Sequence, residues 1–330
     1  MNQINIAIIG VGDWGKNLIR NFNQFAAIVA VCDLNPVIAD TVARQYQVIS
    51  MTFQQILATK EIDAIVISTN RSHYNLVKQA LYANKHVFVE KPLANNLQQA
   101  KDLYKIAKQV NKKLMVGHLL HYHPAFIELK KICYSKVLGD ISYVYSNRLT
   151  FGKFMPEEDV ILNLASYDIS MILSLLGKPK SLTAFADSFL IKNVVDQAIL
   201  RFNFSEQQHG HVFVSWFHPV QEHKLVVIGS KAMAVFDDLA EWPKKLCLYH
   251  HVIDLHGDIA VLKNLHPEFV KIYNPVEPLF NETKHFIECI QKDLIPQTSA
   301  EESLDILDII DQASRQLKSL QKKSTFIGNI

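Results

Sequence analysis

The sequence predicts an α/β protein, with an N-terminal doubly wound parallel sheet and a C-terminal α+β domain carrying a large, open, mainly antiparallel sheet. Three observations carry that expectation. Short apolar runs alternate with helical periodicity up to Gly117. The first run ends in a G-x-G-x-x-G pattern that opens a helix. Beyond residue 118, strand runs follow one another with few helices between them. Strands that are apolar throughout and separated by helices mean a parallel sheet covered on both faces. Successive strands joined by short turns favour antiparallel pairing.

The elements follow in order. "INIAIIG" is a strand closed by Gly10, and Trp14, Leu18, Ile19 and Phe22 recur at helical spacing after it. "AIVAVCD" is a second strand that stops at Asp33, and Pro36 opens the next helix. "IDAIVIS" and "HVFVEKP" are further strands, separated by the helix "HYNLVKQALYAN". The helix "NLQQAKDLYKIAKQVN" leads to the strand "KLMVG". This gives a first domain over residues 1–118 and a second over 119–330. The second opens with a helix from Pro124 to Tyr134. "DISYVYSNRL", "AILRFNF", "HVFVSWF", "KLVVIGS" and "AMAVFD" read as strands. The helix "LNLASYDISMILSLLG" interrupts them and is closed by Gly177. Two helical patterns finish the chain, and "DIAVLKNLHPEFVKIYNPVEPL" reads as a long irregular connection.

Composition narrows the function. Hydrophobic residues make up 49%, enough for two cores, and 330 residues suit two domains. Lys plus Arg number 34 against 32 Asp plus Glu. That balance, without a basic run, excludes the electrostatic footprint of a nucleic-acid or membrane-surface binder. The four cysteines form no C-x-x-C pair and read as reduced thiols. No secretory leader or membrane span is expected, which places the protein in the cytoplasm.

The flanks of the glycine pattern point to a dinucleotide. Gly10 permits the turn, Gly12 has no side chain to block a pyrophosphate, and Gly15 lets the helix approach the strand. The helix N-terminus offers free N–H groups and partial positive charge to phosphate, so Asp13 and Trp14 of its first turn join the expected contacts. Asp33 lies 18 residues past Gly15, at the end of the second strand. Its carboxylate can accept from ribose hydroxyls and repels a 2′-phosphate, so the expected cofactor is NAD rather than NADP. Ser68, Thr69, Asn70 and His73 end the third strand on the same ligand edge and are expected cofactor contacts, although "RSH" also suits a helix N-cap. Glu90 and Lys91 precede Pro92 at the end of another strand on the ligand edge and are further expected cofactor contacts. An ammonium there can stabilise an oxyanion or relay a proton.

The glycine fingerprint, "STNRSH" and "EKPLA", in that order and spacing, resemble the glucose–fructose oxidoreductase / inositol dehydrogenase / rhizopine-catabolism (Gfo/Idh/MocA) family. The resemblance implies an N-terminal Rossmann domain and a C-terminal α/β domain with a large open sheet. It also implies hydride transfer between nicotinamide and a hydroxyl-bearing carbon of a sugar or cyclitol. Lys91 takes the place of the family's active-site lysine, and Pro92 that of its often-cis proline. "GHLLHYHPAF", "SWFHPVQEHKLVVIGSKAMAVFDD" and "VEPLFNETKHFIECIQKDLIPQTS" are similar to its nucleotide-sugar 3-dehydrogenase branch. That branch makes 3-keto sugars for transamination, in lipid A and surface-polysaccharide assembly. The implied substrate is UDP-N-acetylglucosamine or a close relative. The implied substrate contacts are Lys91, His118, His121, Tyr122, Arg148, Asn163 and Tyr167.

One stretch departs from the branch. "SYDIS" puts Tyr167 where a histidine acid/base is expected, and Asn163 stands where the wider family has an aspartate. A phenol ordinarily ionises near pH ~10, and a neighbouring cation lowers that value. Tyr167 with Lys91 is therefore the expected catalytic pair, with His118, His121 or His123 as alternative bases. Arg148 is expected to meet a diphosphate through its planar fork. "HYHP" offers two histidines and no evident third ligand, so no metal is expected.

"HVFVSWF" is apolar on both strand faces, so one face needs a second cover. A homodimer or homotetramer through the open sheet is expected. Two other readings stand beside the dehydrogenase: a nucleotide-sugar 3-ketoreductase, and a non-catalytic NAD- or sugar-binding homologue.

Overall fold

The structure is a computed structural model and describes residues 3–69, 73–151, 159–190, 194–250, 252–256, 259–263 and 266–327. Packing divides the chain into two units, Met1–Tyr122 with Val276–Leu307, and His123–Pro275 with Asp308–Ile330.

The first unit opens with β1 (Asn5–Ile9), α1 (Asp13–Phe22), β2 (Ala27–Cys32), α2 (Pro36–Tyr46) and β3 (Ile49–Ser50). α3 (Phe53–Ala58), β4 (Ala64–Ile67), α4 (Tyr74–Tyr82), β5 (His86–Glu90), α5 (Leu97–Gln109) and β6 (Leu114–Gly117) follow. The sheet order is β3-β2-β1-β4-β5-β6, and every pair is parallel. The strand runs are apolar on both faces because helices cover both: Ile6, Ile8, Ile65, Val66, Val87 and Phe88 are buried without exception. The order reverses at β1, so the crevice beyond the carboxyl ends of β1 and β4 is where a ligand binds in such sheets.

The second unit begins with α6 (Pro124–Tyr134), β7 (Ile141–Phe151) and α7 (Ser166–Leu176), the last preceded by a π-helical turn at Ile161–Ala165. Its strands continue as β8 (Ser181–Asp187), β9 (Gln197–Asn203), β10 (His209–Ser215), β11 (Phe217–Gly229), β12 (Ala232–Asp237) and β13 (Leu246–His250). β14 (Val252–His256), β15 (Ile259–Lys263) and β16 (Pro267–Phe269) complete them. The large sheet runs β16-β13-β12-β11-β7-β10-β9-β8. Only its β7–β10 pair is parallel; the others are antiparallel. The connection expected to be irregular after residue 257 is instead ordered in part: β14 and β15 pair as a hairpin and β16 edges the large sheet. Two short apolar-rich runs, "VIDLH" and "IAVLK", lie on either side of a Gly-Asp pair there.

α8 (Pro278–Gln291) belongs to the first unit, and α9 (Ala300–Ile327) ends the described chain. Phe286 of α8 packs edge-on against Phe22 and Phe88, with centroids 6.0 and 5.7 Å away. Truncating such a ring to alanine costs about 3–5 kcal/mol.

Candidate active site

Three loops lie side by side on the carboxyl edge of the parallel sheet, because β1, β4 and β5 are consecutive neighbours. They are the glycine loop after β1, Ser68–Thr69 after β4 and Lys91–Pro92 after β5. Gly10 has φ 84°, and a Cβ there would stand 3.0 Å from the Ser68 backbone. A Cβ on Gly15 would run into the Gly10 carbonyl oxygen. At Gly12 a Cβ would meet nothing within 4 Å, so the loop is open on the side a pyrophosphate needs. Gly12 is the N-cap of α1 and supplies no side-chain cap to its first N–H groups. Asp13 and Trp14, in that first turn, are both exposed.

Asp33 is fixed beside this loop. Its Oδ2 accepts from Val11 N at 2.9 Å and its Oδ1 from Asn35 N at 2.9 Å. The remaining lone pairs suit ribose hydroxyls. The Ser68 hydroxyl donates to Gly10 O at 2.6 Å and ties β4 to the loop. Asn70 lies outside the described residues.

His73 does something other than expected. It is 4% exposed, and its ring nitrogens stand 2.7 Å from Pro92 O and 2.8 Å from Thr69 O. These contacts set His73 as a brace between the β4 and β5 loops, where it was expected to touch the cofactor. The Lys91–Pro92 bond is cis.

Glu90 is partly buried, and its Oε1 accepts from the Trp14 indole at 2.6 Å. Gly117 makes room for the carboxyl, since a Cβ there would lie 2.9 Å from Oε2. Burial pushes Glu90 up to about 7, against the opposing pull of the Trp14 hydrogen bond and the Lys91 cation. Behind it lies Glu282 of α8, 0% exposed, with no hydrogen-bond partner for either carboxyl oxygen among the described residues. Burial, then the charge of Glu90, holds Glu282 well above the ordinary carboxyl range. The sequence reading missed Glu282. Its signal was a carboxylate at helical spacing from the apolar Leu279 and Phe286.

The histidines after β6 are core residues. His118 is buried, with Nε2 3.2 Å from Ser303 Oγ, and burial followed by the Lys91 charge drives it down to about 3. His121 is 2% exposed and lies 3.1 Å from Glu302, while the Tyr122 hydroxyl sits 3.0 Å from Thr298 Oγ1. Both were expected to touch substrate; each is instead buried against the segment around α9.

In the second unit, His123 caps α6 by accepting from Ala125 N at 3.1 Å and stacks on Trp242. Burial holds it at about 4, so its role is structural. Asn163 sits in the π-helical turn, partly buried, and Tyr167 is partly exposed in the first turn of α7. Arg148 corrects another expectation. It is 5% exposed, and its fork is occupied by Asp168: Nε to Oδ2 at 2.7 Å and Nη2 to Oδ1 at 3.2 Å. Ser146 donates to the same Oδ1 at 2.5 Å. Residues 144, 146 and 148 alternate onto the helix-covered face of β7, so Arg148 points at α7 instead of offering itself to a diphosphate.

All four cysteines are free thiols. Among the described residues no group of three or more His, Cys, Asp or Glu is arranged for a metal ion. No helix among them is long and apolar enough to cross a membrane.

Comparison with known proteins identifies the family. Residues 4–118 match the oxidoreductase family with an NAD-binding Rossmann fold, and residues 126–235 match the GFO/IDH/MocA C-terminal domain. Inositol 2-dehydrogenase of Rhizobium meliloti is 25% identical over 95% of this chain and 97% of its own length. UDP-N-acetylglucosamine 3-dehydrogenase of Acidithiobacillus ferrooxidans is 28% identical over 54% of this chain and 56% of its own. Its solved structure superposes with a TM-score of 0.82 at 22% identity, covering 96% of this chain and 98% of that one, a likeness of fold. 2,7-Anhydro-N-acetylneuraminate hydratase of Escherichia coli is 29% identical over 44% of this chain. The chain spans only 40%, 44% and 62% of the length of that hydratase and two other curated relatives.

Proposed function

The chain belongs to the Gfo/Idh/MocA family of NAD-binding oxidoreductases, and on that premise we propose that it oxidises the C3 hydroxyl of a nucleotide-activated hexose, UDP-N-acetylglucosamine or a close relative. The observation that carries this reading is the juxtaposition of the Gly10–Gly15 loop, Asp33 and Lys91 on one sheet edge.

The residues present fit the cofactor. Gly10, Gly12 and Gly15 shape the loop, with Asp13 and Trp14 opening the helix beside it. Asp33 suits the ribose hydroxyls, and Leu34 and Asn35 offer no cation to a 2′-phosphate, which favours NAD. Ser68 and Thr69 complete that edge, and the assignment of Asn70 as a cofactor contact rests on the sequence alone. Nicotinamide, when bound, supplies a hydride acceptor in its oxidised form and a hydride donor in its reduced form. Lys91 stabilises the negative charge that builds on the substrate oxygen as its carbon becomes a ketone. Tyr167 takes the hydroxyl proton, and Asn163 binds the sugar beside it. The product is a 3-keto sugar fit for transamination in lipid A or surface-polysaccharide assembly.

A phenol gives a proton more readily than it takes one at neutral pH, which favours the reverse reaction, ketone reduction, as the second reading. Initial rates of NADH formation with NAD and UDP-N-acetylglucosamine, and of NADH consumption with the 3-keto sugar, separate the two. We expect the first to be measurable and faster with NAD than with NADP. NAD binding without turnover in either direction contradicts both readings and leaves a binding protein.

We place the enzyme in the cytoplasm, as a homodimer or homotetramer. Phe185, Ile199 and Phe213 are cross-strand neighbours on β8, β9 and β10. Phe185 and Ile199 are 58% and 40% exposed, an apolar row that a second copy would cover.

A further inference from the structure

We propose that Arg148 is the positioning residue of Tyr167: a buried guanidinium, clamped by Asp168, that lies against the tyrosine ring and stabilises its phenolate. The inference rests on the assignment of Tyr167 to the hydroxyl proton, and all of its geometry lies within the second unit.

The guanidinium carbon is 5.1 Å from the Tyr167 ring centroid, within cation–π range. A phenolate ring carries more negative charge than a phenol, so a cation against its face favours ionisation. The guanidinium is held in place on its other side. Asp168 grips Nε and Nη2, and the Ser146 hydroxyl fixes Asp168 in turn. A buried arginine in such a clamp loses little freedom and stays charged: burial opposes the charge, and Asp168 outweighs it. Tyr167 itself remains partly exposed. The preceding π-helical turn, Ile161–Ala165, is a feature often found at functional sites.

The charges around Arg148 are matched among themselves. His223 of β11 pairs in register with Arg148, and burial, then the arginine charge, keeps it low in pKa and neutral. Asp238, beyond β12, is a second anion that acts on Arg148. It is matched by Lys245, whose Nζ is 4.0 Å from Oδ1, and it lies 3.7 Å from the neutral His123. Lys224 of β11 is answered by Asp237 at 3.6 Å. The guanidinium is thus a fixed cation against the aromatic face, within Tyr167's own unit.

The test is a pH titration of phenolate absorbance, taken as the difference between each protein and its Tyr167→Phe counterpart. The proteins are the native chain, Arg148→Lys, and the double variant Arg148→Met/Asp168→Asn. The double variant replaces the ion pair by neutral groups of similar shape and so avoids leaving a lone buried charge; circular dichroism checks its fold. We expect Tyr167 to ionise about one pH unit higher in the double variant, a tenfold loss of acidity, and at an intermediate pH with lysine. The rising limb of kcat/KM should move with it. An unchanged Tyr167 titration in the folded double variant overturns the proposal, as does a drop in kcat with no movement of the limb. Full activity in Tyr167→Phe contradicts the functional assignment instead, and the titration distinguishes that failure from this one.

Discussion

The Trp14 indole donates a 2.6 Å hydrogen bond to Glu90, joining the first turn of α1 to the residue before Lys91 across 76 positions of sequence. The turn next to the glycine loop and the lysine loop are thereby one piece of structure. Trp14→Phe removes the donor from a partly buried acceptor, at a cost of about 1–2 kcal/mol. We expect a lower Tm and NAD affinity weakened roughly 5- to 30-fold, read by calorimetric titration. Native affinity in Trp14→Phe would show that the bond does not organise the site.

Two glycines separate binding from folding. A Cβ on Gly12 meets nothing, whereas one on Gly15 collides with the Gly10 carbonyl. Gly12→Ala should keep its Tm and lose NAD binding, because the methyl group fills the pyrophosphate side of the loop. Gly15→Ala should lose stability as well. Thermal melts with and without NAD check both outcomes; an unfolded Gly12→Ala would contradict the first.

Glu282 and Glu90 make stability fall as pH rises. Both are raised in the folded protein above the ordinary carboxyl value of 4.5, Glu90 to about 7. Their contribution is fully present below pH 4.5 and is lost as pH climbs through the folded values, at up to about 1.4 kcal/mol per pH unit per proton. Glu282→Gln keeps the shape and removes one titration. Denaturant unfolding between pH 5 and 8 should give a visibly flatter slope for the variant; parallel slopes would contradict the assignment.

His123 works in the opposite direction. Burial lowers it to about 4 from 6.5, so stability is lost as pH falls from 6.5 toward 4. His123→Asn preserves an N-cap acceptor and cannot protonate in that window. It should lose less Tm than the native chain between pH 6.5 and 4.5.

Local signals in the sequence announced the glycine loop, Asp33 and Lys91, because apolar strands ending in glycine, acid or Glu-Lys-Pro fix both the edge and the residues on it. They could not announce what a side chain meets far along the chain. His73 looked free until Pro92, 19 residues on, took one ring nitrogen. Tyr122 looked like a pocket residue until Thr298 met its hydroxyl. Arg148 looked available because Asp168 lies 20 residues away on another element. Glu282 was concealed by its type, since a glutamate on a helix ordinarily reads as a solvated face.

The central claim is that this sheet edge binds NAD and that Lys91 acts on the bound substrate. Lys91→Met tests it most directly, with NAD affinity and the rate of NADH formation measured on the same preparation. We predict NAD affinity within about threefold of native, a shift under 1 kcal/mol, and turnover lower by about 10²- to 10³-fold. Native turnover in Lys91→Met, or a native protein with no affinity for NAD, would contradict the account.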